Sequence, residues 1–214
     1  MAYLIEKPIE NYSIDPSEYK ARFVKLWRDN VFRDGSDKFL RFLEQSDFFT
    51  APASTKYHGN VRGGLCYHSL LVLREMEADI TNAGVNITPA LRESMTIAAL
   101  AHDVCKVNFY KWDSRNVKDE HGTWHAVPNI TIDEVLPFGH GEKSVYIIQS
   151  FMNLSREEAL AIRWHMGDFT EAYGGCTKAF SMCPFALYLH IADLKASSLY
   201  ERTYDYIKDE WSNS

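Results

Sequence analysis

The chain has 214 residues, 46% hydrophobic and 14% aromatic, which suits one domain with a sizeable core and a small appendage. Its net charge of −6 lacks the basic footprint of a protein that lives on duplex nucleic acid, but a small phosphorylated ligand or a short single strand could still be held by a few lysines and arginines. No apolar run approaches the roughly 18–20 residues of a membrane span, the start MAYLIEKPIENYS has no basic segment followed by an apolar core, and Cys66, Cys105, Cys176 and Cys183 form no CxxC pair, so the chain reads as cytoplasmic with free, mostly buried thiols.

Residues 1–15 read as irregular, punctuated by Pro8, Asn11 and then Pro16. In PSEYKARFVKLWRDNVF, Pro16 suits a first helical position, and Phe23, Val24, Leu26, Trp27, Val31 and Phe32 keep a helical period. GSDKFLRFLEQSDFF starts a second helix near Ser36, which TAPAST breaks. These N-terminal helices, within residues 1–49, are expected to pack on the main domain at 50–206. GGLCYHSLLVLREMEADITNAG begins after two glycines and stops at Asn82 and Gly84, a good C-terminal signal. TPALRESMTIAALAHDVCK opens with Thr88 as N-cap and Pro89 as first helical residue.

The character changes over 109–138. YKWDSRNVKDEHGTWHAVPNITIDEVLPF holds a turn signal, Asp119 to Gly122, between aromatic and β-branched segments, and predicts a small β-hairpin inserted between helices. Helices resume with HGEKSVYIIQSFM, with SREEALAIRWHM behind a Ser155/Glu158 capping box, and with CPFALYLHIADLKASSLYERTYDYI. The expected class is all-α, a helical bundle carrying one hairpin.

The ionisable residues of these helices are unusual. His68 lies in GGLCYHSLLVL, His102 and Asp103 end TIAALAHDVCK, His140 opens a helix, His165 ends one, and Asp193 sits inside ALYLHIADLKASSLY. One such histidine is more often a hydrogen-bonded core residue than a ligand. Several in separate helices point elsewhere, because a buried charge needs a partner, imidazole and carboxylate are common ligands of transition-metal cations, and ligands from different helices of a bundle can converge inward.

The order His68, His102-Asp103, His140, His165, Asp193 resembles the HD-domain superfamily of metal-dependent phosphohydrolases. It is similar in particular to the H…HD…H…H…D branch of HD-GYP phosphodiesterases and a bacterial 3′→5′ exoribonuclease. GGLCYHS resembles the family's G-x-x-x-H helix, AALAHDVCK its A-H-D-x-x-K helix and HIADLKAS its A-D helix, over about residues 50–205. Cys105 departs from the more usual HD-x-G-K. The resemblance implies that His68, His102, Asp103 and Asp193 bind one metal and that His140 and His165 help bind a second, with Asp103 bridging. The cofactors would be two divalent cations drawn from Mn, Fe, Ni, Co, Mg or Zn. Asp103 and Lys106 would be the catalytic pair, with Lys106 also contacting a phosphate.

Lys143, three residues after His140, and His58 and Arg62, ahead of the Gly63-Gly64 turn, are further candidates for substrate binding. Lys195 is read as solvated, His121 and His125 as exposed hairpin residues, His190 as packed or supporting, and Trp164 and Met166 as core. Tyr110, Trp112, Arg115, Lys118 and Trp124 interleave aromatic and basic groups that can stack a base or cover the bundle edge. The implied activity is hydrolysis of a small phosphorylated or nucleotide substrate, or of a short single strand; an oligomer is compatible with the sequence. Two other functions fit the same ligand set: a mixed-valence di-iron oxygenase of the inositol-oxygenase type, and a non-catalytic nucleotide-binding module.

Overall fold

The computed structural model describes residues 15–168 and 175–201; the expectations for residues 1–14 and for 202–207 lie outside them. The order is α1 (Pro16–Asn30), α2 (Ser36–Gln45), α3 (Gly64–Asn82), α4 (Pro89–Ala101), a 3-10 turn (Val104–Lys106), β1 (Tyr110–Lys118), β2 (Trp124–Ile132), α5 (His140–Gln149), α6 (Arg156–Trp164), α7 (Gly175–Met182), α8 (Pro184–Lys195) and a π-helical turn (Ala196–Tyr200). The protein is mostly helical with a small antiparallel hairpin, as the periodicity predicts.

The helix starts follow local chemistry. The Asp15 carboxylate accepts from the Ser17 N–H ahead of Pro16, and the Thr88 hydroxyl accepts from the Leu91 N–H ahead of Pro89. Ser155 and Glu158 complete their capping box. Each cap satisfies a donor that the helix cannot. α7 was not anticipated: GCTKAFSM is short, and only Ala179 of it is buried.

α3 is the axis of the bundle. It is buried on nearly every side, from Leu65 through Met76, and packs against α1, α4 and α8, while α6 bridges α8 to α5. α1 and α2 share this core. Phe23, Trp27, Phe39, Phe48 and Phe49 form an aromatic knot at 5–6 Å centroid spacings, continuous with Leu65, Met76 and Ile97.

The hairpin pairs Tyr110 with Ile132 and Lys118 with Trp124. Strand alternation therefore puts Tyr110, Trp112, Trp124, Ile130 and Ile132 on one face and Lys111, Asp113, Arg115 and His125 on the other. The interleaving expected here is thus split between faces: Arg115 points away from both tryptophans, and only Lys118 approaches Trp124, at 5.9 Å from its ring. Trp112 and Trp124 are exposed, so they do not cover the bundle.

One polar junction ties the N-terminal helices down. Arg33, between α1 and α2, makes paired bonds to Glu158 at 2.7 and 2.9 Å and reaches Glu93 at 3.3 Å. Ser94 donates to the same Glu158 carboxylate at 2.7 Å, and Glu158 is fully buried. Removing one partner of a buried pair strands the other charge. Arg33→Ala is expected to lower unfolding stability by about 3 kcal/mol or more, read as a shifted midpoint in urea.

Candidate metal centre

Six elements deliver the ionisable cluster. His68 comes from the second turn of α3, and His102 and Asp103 from the end of α4. Lys106 follows on the 3-10 turn. His140 starts α5, His165 follows α6, and Asp193 comes from the last turn of α8. His68, His102, Asp103 and His165 are almost wholly buried, whereas the His140 side chain is 33% exposed.

His102 and His165 use the same local device. Each is the C-cap of its helix, where the last carbonyls lack intrahelical partners. His102 Nδ1–H donates to Ala99 O at 2.8 Å, and His165 Nδ1–H donates to Ile162 O at 2.7 Å. A carbonyl only accepts, so Nδ1 carries a proton and Nε2 is turned into the cluster. His165 Nε2 is buried with no hydrogen-bond partner among the described residues. A buried ring nitrogen left unsatisfied in this way is costly, and here it faces other ligand-type atoms.

Asp103 stands at the middle. Its Oδ1 accepts from His140 Nε2 at 2.7 Å and lies 3.5 Å from His165 Nε2. Its Oδ2 accepts from Lys106 Nζ at 2.7 Å and lies 3.4 Å from His102 Nε2 and 3.7 Å from His68 Nε2. The carboxylate thus straddles two groups, His140 and His165 on one side, His68 and His102 on the other. Burial alone would raise its pKa, but Lys106 and the surrounding imidazoles outweigh it and hold the carboxyl well below the usual range. Burial works against the Lys106 charge as well, and Asp103 holds it protonated.

His68 is clamped between two acids. Its Nε2–H donates to Asp193 Oδ1 at 3.0 Å and its Nδ1–H to Glu201 Oε2 at 2.8 Å. Burial opposes the imidazolium, yet Glu201 and Asp193 push its pKa up to about 10. His140, also opposed by burial, is raised to about 9 by Cys105 and Asp103 beside it. Asp193 is held low by His68 in spite of burial.

Two glycines permit the convergence. A Cβ on Gly141 would stand 2.2 Å from the Arg163 carbonyl oxygen, so only glycine lets α5 approach α6 closely enough to bring His140 beside His165, with ring centroids 5.2 Å apart. A Cβ on Gly64 would stand 2.0 Å from the Gly59 carbonyl oxygen. That close approach folds the loop before α3 back onto it and lays His58 against His68.

The other sequence candidates separate. His58 is not a cationic rim: its ring lies 5.0 Å from His68, and burial, with the charges on His68 and Lys106, lowers its pKa to about 3. It is neutral, with Nε2 buried and unpartnered among the described residues. Arg62 is exposed and takes no part in the contacts that tie the cluster together. Lys143 is buried and paired with Glu134 at 2.8 Å. Lys195 is not simply solvated; it pairs with Asp79. His190 donates from Nδ1 to the His165 carbonyl at 2.6 Å and stacks on Phe180, a supporting role. His121 and His125 are exposed, His125 bonding Asp119 at 2.6 Å. Met166 is 40% exposed rather than core, and Trp164 is half-buried under the Arg163 guanidinium. Cys66, Cys105 and Cys183 are buried free thiols, and Cys176 is half-buried.

Sequence reasoning missed Glu201, which sits 133 residues from its partner in a stretch with no ligand pattern. An acid behind a histidine, fixing its tautomer, is a common support for a metal ligand.

The residues fit divalent cations. His68, His102 and Asp103 offer ligand atoms within 4.8 Å of one another, as do His102, His165 and Asp193, and as do Asp103, His140 and His165. The set is mixed imidazole and carboxylate, which suits first-row transition metals. Comparison with protein-family models, curated proteins and solved structures gives no match, so the site is read on its geometry and chemistry. Among the described residues, no helix is long and apolar enough to cross a membrane.

Protons compete with cations for these rings. His68 and His140 hold protons at neutral pH on the nitrogens a metal would take, so binding must displace them. Calorimetry at pH 7 in buffers of different ionisation enthalpy is expected to show close to two protons released for these two rings, with affinity rising as pH increases. Glu201→Gln is expected to weaken metal affinity by about tenfold, measured by competition with a chromophoric chelator.

Proposed function

We propose that this protein is a metal-dependent phosphohydrolase acting on a small phosphorylated substrate of the nucleotide class. The observation that carries the reading is the straddling position of Asp103, with one oxygen toward His140 and His165 and the other toward His68 and His102. A carboxylate can bridge two cations through its two oxygens. The order of the ligand-type residues along the chain resembles that of HD-domain phosphohydrolases, and that resemblance supplies the reaction class.

Cations held by His68, His102, Asp103 and Asp193 and by Asp103, His140 and His165 would activate a water molecule and neutralise phosphoryl oxygens. The chain's own residues do the remaining work. His102 and His165 are fixed in orientation by their bonds to Ala99 and Ile162, so their Nε2 atoms are placed before any ligand arrives. Glu201 and Asp193 orient His68 from its two edges. Lys106 keeps Asp103 ionised and sets a fixed positive charge where negative charge would develop on the substrate. Burial of His68, His102 and Asp103 keeps bulk water from screening that field.

The test is elemental analysis of protein purified without chelators, beside hydrolysis of bis-p-nitrophenyl phosphate, nucleotides and short oligonucleotides with added Mn, Co, Ni, Mg or Fe. Close to two metals per chain with metal-stimulated phosphate release supports the reading. Iron with oxygen consumption and no phosphate release replaces it with the oxygenase. Asp103→Ala is expected to abolish both metal binding and turnover while the helical circular dichroism is kept; retained turnover would refute the assignment. Lys106→Ala is expected to lower kcat by about a hundredfold with metal content little changed.

A further inference from the structure

We propose that the cavity beside the metal centre is a nucleobase subsite, with Phe138 and Phe109 as its aromatic walls and the Glu134–Lys143 pair reading the edge of the base. This rests on the phosphohydrolase reading and names the part of the substrate that the metal ligands do not touch.

The cavity encloses about 220 Å³ and is lined by Cys105, Phe109, Glu134, Phe138, His140 and Lys143. It shares a wall with the metal centre: His140 reaches Asp103 through Nε2, and its ring nitrogens lie 3.5 Å from Cys105 Sγ. A nucleotide whose phosphate sits among the metal ligands can reach this cavity with the base beyond its sugar. The volume falls below the roughly 300 Å³ at which pockets for drug-sized ligands begin, so it admits one ring system rather than a whole nucleotide.

The lining selects the chemistry of that ring. Lys143 Nζ lies 4.8 Å from the centre of the Phe109 ring and donates to Glu134 Oε1 at 2.8 Å. The Leu136 N–H donates to the same oxygen at 2.7 Å. Oε1 is thus saturated, and Oε2 takes no bond among the described residues, leaving it to accept from a ligand. The Glu134 and Lys143 charges offset each other, and His140, the other ionisable ring of the lining, is turned to Asp103. The end of the cavity offers an acceptor beside an ammonium group. Phe138 is 49% exposed and stacked on Tyr146, centroids 5.2 Å apart at 17°, presenting an aromatic surface at the mouth. A neutral planar ring with an N–H donor next to a ring or carbonyl acceptor satisfies all of this, and every nucleobase has such an edge. Lys143, a substrate-binding candidate from the sequence, serves the base end in this proposal.

The experiment compares nucleoside 5′-monophosphates with ribose 5-phosphate, which has the same phosphate and sugar and no base, on the metal-loaded full chain. The ratio of kcat/KM values is expected to favour the nucleotides by about tenfold or more, the size of one base–aromatic stack. Phe138→Ala and Glu134→Gln are each expected to collapse that ratio toward one. Saturation-transfer NMR with adenosine, guanosine, cytidine and uridine on chelator-treated protein gives a readout free of catalysis: binding by the native chain and its loss in Phe138→Ala support the subsite. Nucleoside binding without any phosphate release would retire the phosphohydrolase and keep the subsite. Hydrolysis of ribose 5-phosphate as fast as the nucleotides, with no nucleoside bound, would overturn the subsite and leave the phosphohydrolase standing. A ratio unmoved by both variants would also overturn it.

Discussion

A carboxylate as deeply buried as Asp103 is tolerated only when positive charge and N–H donors surround it. The bundle is organised around that requirement. Lys106 arrives from the same turn, three residues on. His140 must come from α5, and α5 can approach only because Gly141 lets it lie against the backbone of α6. His68 comes from the fully buried first half of α3, Leu65–Leu73, which is apolar nearly all round except where His68 meets Asp103, Asp193 and Glu201. The placement of four helices thus follows from one anion.

The same constraint explains the layering behind the ligands. His68 is held by Glu201, His102 and His165 by the carbonyls of their own helices, and the His165 carbonyl in turn by His190. Ring orientation is set by backbone and by a second rank of side chains before a cation enters. The groups proposed to meet a base lie on the segments flanking the hairpin and on α5. Phe109, Glu134 and Phe138 belong to the insert rather than to the bundle. Three of the proposed base-binding groups can therefore change without moving Asp103, while Lys143 shares α5 with His140.

Much of this was legible in the sequence because it is local. Thr88-Pro89, the Ser155/Glu158 box and the two glycines at the start of α3 announce helix ends through chemistry confined to a few residues. Histidines and aspartates in otherwise apolar helices stand out because their burial needs an explanation. What escaped was set by tertiary contact. Glu201 is an ordinary acid until it meets His68 across the fold. His58 looks like a polar loop residue until Gly64 brings its loop down onto α3. Lys195 reads as solvated until α8 lies against Asp79, and α7 carries too little apolar periodicity to declare itself. The hairpin's two faces were implicit in its register, but the interleaving of aromatic and basic residues along the strand hid their separation in space.

The C-cap histidines carry a further implication for how this sequence can vary. His102 closes a helix whose other end is pinned by Thr88 and Pro89, and His165 closes one pinned by the Ser155/Glu158 box. An α-helix turns by about 100° per residue. One residue added or lost inside α4 would swing His102 and Asp103 together away from His68 and His140, and one inside α6 would swing His165 away from Asp103, whatever that residue was. Substitutions on the outer faces of these helices leave the angle untouched. The two helices act as rulers, fixed in residue count and free in composition only on their outer faces, and changes of length fall instead to the connections, such as the turn between the hairpin strands.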